Sequence, residues 1–134
     1  MSRIVAATLL ALLSLPAIAE EPKGFKATSD AGHFVVTLRP AEDVIPIGRF
    51  HRWSLRITDA DGRPVEARHI EIGGGMEAHG HGLPTAPRAV ATASRGEYTV
   101  EGLKLTMAGE WTLLIGIQSD GATDAARFKL DVDY

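Results

Sequence analysis

The run Trp111-Thr112-Leu113-Leu114-Ile115-Gly116-Ile117 holds the cleanest alternation in the chain. Trp111, Leu113, Ile115 and Ile117 recur at every second position, the period that puts side chains on one face of a β-strand. The pattern repeats on either side. Phe50 to Thr58 sets His51, Trp53, Leu55 and Ile57 against Arg52, Ser54 and Arg56. The last run sets Phe128, Leu130, Val132 and Tyr134 against Arg127, Lys129, Asp131 and Asp133. Phe34, Val36 and Leu38 mark a strand over 33–39, Ile70 and Ile72 one over 65–72, and Arg88 to Ala93 a weaker one. Tyr98 and Val100, followed by Leu103 and Leu105, belong to another. Turn residues such as Asp59-Ala60-Asp61-Gly62-Arg63-Pro64 separate these runs. No mature segment carries a helical apolar period. About seven short strands predict an all-β fold, an immunoglobulin-like antiparallel β-sandwich, with Trp53 and Trp111 filling the space between the sheets.

The N-terminus predicts export. Arg3 precedes an apolar run from Ile4 to Leu15, then Pro16 and the small residues of Ala17-Ile18-Ala19. That is a signal peptide over residues 1–19, cleaved after Ala19, with the periplasm as destination. The apolar run is shorter than the ~20 residues of a spanning helix, so no membrane span is expected in the mature protein. Residues 20–31 are expected to be a flexible leader, and 32–134 the sandwich domain. Removing residues 1–19 takes away Arg3 and no acid, which moves the formal charge from −3 to −4. Phosphate binding needs a basic face, so nucleic acid is not an expected partner. With no cysteine, the exported domain has no disulfide and depends on its core. A monomer or weak homodimer is expected.

One segment stands apart: Gly73-Gly74-Gly75-Met76-Glu77-Ala78-His79-Gly80-His81-Gly82-Leu83-Pro84. It groups one thioether and two imidazoles among glycines, and imidazole with thioether is a donor set suited to copper. In an extended segment His79 and His81 point to the same side, and Met76 closes over the same point if the chain bends at the glycines. The bland alternative is a glycine-rich surface loop with solvated histidines. His51 is either a core-edge imidazole or a third nitrogen ligand. Met107 either packs under the turn before Trp111 or supplies a second sulfur. His33 and His69 read as structural or surface residues. No nucleophile–base pair, Gly-x-Ser-x-Gly, phosphate loop or Cys-x-x-Cys is present, so no enzyme is expected.

The chain resembles the FixH/YtkA-like family. The likeness rests on His51-Arg52-Trp53, on Asp61-Gly62-Arg63-Pro64-Val65 leading to Ile70-Glu71-Ile72, on the loop from Gly74 to Thr85, and on Tyr98 to Trp111. It implies an immunoglobulin-like sandwich. It also implies a link with copper handling in the maturation of respiratory oxidases, and so a copper-acceptor protein or oxidase assembly factor as partner. Carried over by position, Met76, His79 and His81 match, with His51 and Met107 as weaker matches. Glu77 stands where the family more often has proline, which adds an oxygen donor. The expected function is a periplasmic copper chaperone or buffer, holding Cu(I) or Cu(II). The alternative is a metal-free interaction module that docks through residues 73–87. A small-ligand pocket between Trp53 and Trp111 ranks last, for want of polar anchors.

Overall fold

A computed structural model describes residues 23–134 of the protein. The expected signal peptide lies outside the described residues. The strands are β1 (Phe25–Thr28), β2 (Val35–Pro40), β3 (Phe50–Thr58), β4 (His69–Met76), β5 (His81–Gly82), β6 (Arg88–Ala91), β7 (Glu97–Lys104), β8 (Gly109–Gln118) and β9 (Thr123–Val132). A 3-10 turn over Glu77–His79 links β4 to β5. Two antiparallel sheets result, in the orders β1-β2-β3-β7-β6 and β5-β4-β8-β9. Among the described residues no helix is long and apolar enough to cross a membrane.

The alternating runs became the core strands because each has one apolar face to bury. β3 buries His51, Trp53, Leu55 and Ile57 and exposes the residues between them. β8 buries Trp111, Leu113, Ile115 and Ile117 from the facing sheet. Trp53 and Trp111 are almost wholly enclosed, and truncating either would cost about 3–5 kcal/mol. Each indole N–H also needs an acceptor: Trp111 Nε1 donates to the Met107 carbonyl at 3.0 Å and Trp53 Nε1 to His51 Nδ1 at 2.6 Å.

Two strands exceed the sequence expectation. Residues 25–28, expected in a flexible leader, pair with β2 as the edge strand β1, because Phe25 stacks on Trp53 with ring centroids 5.8 Å apart. Strand β5 lies within the segment expected to be an irregular loop and pairs with the end of β4. Tyr134, expected on the inner face of the last strand, is fully exposed beyond the end of β9.

The strand expected over 65–72 is displaced to 69–76. Residues 65–68 instead carry the chain between sheets. Val65 N donates to Ile57 O in one sheet and Arg68 N to Gln118 O in the other. Between them Ala67 N donates to the buried Tyr98 hydroxyl at 2.8 Å. A phenol is long enough to meet a crossing segment at the sandwich edge and satisfy a backbone N–H that no strand can reach.

Candidate metal centre

The three adjacent glycines are strand, not loop. Gly73, Gly74 and Gly75 pair with Leu114, Leu113 and Thr112 of β8. Glycine is required at two of them by close approach of neighbouring backbone. A Cβ at Gly74 would stand 1.9 Å from the Thr112 carbonyl oxygen, and one at Gly75 would stand 1.9 Å from that of His81. Their role is contact, where flexibility around a metal was expected.

That contact fixes the hairpin. Gly75 opposes Gly82 and Met76 opposes His81. Residues opposed across an antiparallel pair project to one face, so the register brings the Met76 and His81 side chains to the same side. The 3-10 turn carries His79, and Gly80 closes it in the left-handed conformation, its N–H donating to Glu77 O. The two imidazoles are exposed, nearly parallel at 22°, with ring centroids 6.0 Å apart. His79 and His81 do meet, but through a turn; the extended segment assumed for that spacing is absent.

Met76 is only 2% exposed. Its methyl lies against Gly109, where a Cβ would come within 3.0 Å of Met76 Cε. The thioether is thus a core side chain enclosed at the base of the hairpin, while both imidazoles are exposed. Met107 is partly buried against the same core, and its carbonyl holds the Trp111 indole. The start of β8 pairs with the end of β4 in one sheet, the start of β3 pairs with the end of β7 in the other, and the short β7–β8 connection sets all four at one end of the sandwich.

His51 belongs to this end too, but its chemistry differs. It is 6% exposed. Nδ1 accepts the Trp53 hydrogen bond, so the proton of the neutral ring sits on Nε2. That Nε2 is buried and has no hydrogen-bond partner. Burial lowers the His51 pKa below the ordinary 6.5; Glu42 pulls it up and Arg49 pulls it down. A metal on Nε2 would need the proton moved to Nδ1, where it would face the indole N–H head on. His51 therefore fits its core-edge reading and does not fit a ligand role.

Among the described residues no group of three or more His, Cys, Asp or Glu is placed to hold a metal ion. A donor set of the kind that suits copper is smaller: two exposed imidazoles and one buried thioether, Met76, which is the register partner of His81. The His51–Trp53 bond was not anticipated, although a histidine two residues before a buried-face tryptophan is a sequence signal for it.

Comparison with known proteins adds one finding. The family described as YtkA-like matches residues 28–116, a span that includes Met76, His79, His81, His51 and Met107. No curated protein and no solved structure matches the chain. With well over half of its length matched, the chain belongs to the YtkA-like family.

Proposed function

We propose that this protein is an exported copper-binding protein, a chaperone or buffer rather than an enzyme, with its site at the β4–β5 hairpin. His79 and His81 supply nitrogen and Met76 supplies sulfur. The observation that carries this reading is the hairpin register, which opposes Met76 to His81 while the His79 ring stacks on that of His81. Histidine nitrogen with thioether sulfur suits copper better than calcium, magnesium or manganese, which prefer oxygen. Met76 must swing or slide by a side-chain rotation to reach an ion at the surface, and an unbranched thioether has the freedom to do so. The recipient of the copper would be a copper-acceptor protein or an oxidase assembly factor.

The test is an anaerobic Cu(I) titration of the protein against a chromophoric competitor chelator, wild type beside His79→Ala/His81→Ala and Met76→Leu. A one-to-one site of nanomolar or tighter affinity, about 12 kcal/mol, that is lost in the double variant and weakened in Met76→Leu is the expected result. Because protons compete with metal for imidazole nitrogen, the affinity should also fall on acidification. Micromolar binding that ignores both variants would remove the copper reading.

A second reading is a metal-free interaction module that docks through residues 73–87. It is favoured by the rigidity that Gly74 and Gly75 impose on an exposed hairpin, since a preorganised loop loses little entropy on binding. Partner capture from periplasmic extract under chelation, abolished when the loop is replaced, would be its signature.

A further inference from the structure

The outward face of the five-stranded sheet is unlike the rest of the surface. In register, Lys26 opposes Thr37, Thr37 opposes Arg56 and Arg56 opposes Glu97. The next row sets Arg39 beside Ser54 and Ser54 beside Thr99. Arg52 lies on the same face by alternation, Arg88 opposes Glu101, and Lys104 opposes Phe50. Six cations (Lys26, Arg39, Arg52, Arg56, Arg88 and Lys104) thus share the face with two carboxylates, Glu97 and Glu101, in a chain whose net charge is −3.

The pairing state differs as well. Of the seven described cations elsewhere, Arg49, Arg63, Arg68, Arg127 and Lys129 are each ion-paired with a carboxylate, and Lys23 and Arg95 are not. On the basic face Arg88 holds Glu101 at 3.3 Å and Lys104 lies over the Phe50 ring at 5.6 Å. The side chains of Lys26, Arg52 and Arg56 have no hydrogen-bond or ionic partner among the described residues. Between Arg39 and Arg56 runs a shallow groove of about 400 Å³ that Thr37, Ser54 and Thr99 help to line; Glu97 also lines it, and Arg52 lies on the face outside it. Guanidinium forks beside short hydroxyls form a surface for carboxylates, which accept from both.

We propose that this face docks an acidic, carboxylate-rich peptide segment of a partner protein, with Arg52 and Arg56 as its principal contacts. The groove favours a peptide over a lipid surface. Its lining is mostly polar, with the hydroxyls of Thr37, Ser54, Thr92 and Thr99 beside the two arginines, and the exposed Phe50 that a membrane would want is at the end of the face beneath Lys104. The proposal is independent of copper, since the hairpin belongs to the other sheet.

The experiment uses the full chain under chelation and a fluorescein-labelled poly-glutamate peptide, read by fluorescence anisotropy. Arg52→Glu/Arg56→Glu is compared with the charge-matched control Lys23→Glu/Arg95→Glu, whose side chains are exposed outside this face. The expected result is saturable binding that weakens with salt, drops about tenfold or more in the face variant and changes less than about twofold in the control. Arg56→Gln, which removes charge without reversing it, should give an intermediate loss, and thermal melts verify that each variant is folded. Equal losses in both double variants would reduce the effect to net charge and overturn the proposal. So would absence of saturable peptide binding, including the case in which phosphatidylglycerol vesicles bind in its place.

Discussion

His51 with Trp53, and His79 with His81, are both pairs spaced two residues apart, and their surroundings are opposite in kind. The first pair lies on the buried face of β3, where Trp53 donates to His51 and the remaining nitrogen is enclosed without a partner. The second rides a 3-10 turn and a two-residue strand, with both rings in water and stacked on one another. One imidazole is a hydrogen-bond acceptor for the core. The others are open nitrogens at a rim. The contrast teaches that spacing decides which side chains share a face, while the neighbouring sheet decides whether that face is dry, and dryness sets what an imidazole can do.

The largest expected effect tests the buried pair. Trp53→Ala removes a side chain packed against Phe25 and His51, and should cost about 3–5 kcal/mol in urea unfolding. A loss as small as that of a surface change would erase the distinction between the pairs. Next comes Gly75→Ala. Its new Cβ would collide with the His81 carbonyl, so we expect a loss above about 1 kcal/mol together with weakened Cu(I) affinity. Unchanged stability would mean that the hairpin backbone can shift aside.

The third effect is a slope. His51 has its pKa lowered in the fold from 6.5, so the unfolded chain takes up its proton first as pH falls. Stability contributed by the neutral ring is intact above 6.5 and is lost on acidification from there down to the lower folded value. Subtracting the pH–stability curve of His51→Phe from that of wild type isolates this term, since the other histidines are common to both. A flat difference would show that the His51 pKa is the same in the folded and unfolded chain. The smallest effect is that of His79→Ala/His81→Ala on stability, expected within about 0.5 kcal/mol by thermal melting. That near-zero change, beside a lost Cu(I) site, would sharpen the contrast most directly.

The core strands were legible because their alternation is a local property. Trp53, Leu55 and Ile57, and Trp111, Leu113 and Ile115, each declare one apolar face within a few residues. Strand β1 was not legible, since four residues with Phe25 half-buried give too short a period, and its pairing depends on Trp53 far along the chain. The shift of β4 was missed for a similar reason: Val65 and Ala67 look like strand residues, but Tyr98 holds their backbone in the crossing between sheets.

At the candidate site the donors were legible and their placement was not. Composition and spacing picked out Met76, His79 and His81 and an all-β sandwich, because chemistry and period are written residue by residue; the resemblance to the YtkA-like family rested instead on whole motif segments such as Gly74 to Thr85. That Gly74 and Gly75 are packing contacts, that Met76 is enclosed at the base of the hairpin and that His51 is claimed by an indole was decided only in three dimensions. Gly74 meets Thr112 and Met76 meets Gly109 across strands remote in sequence, Gly75 meets His81 only when the hairpin closes, and the His51–Trp53 bond, though within one strand, is enclosed only once both sheets have closed on the core.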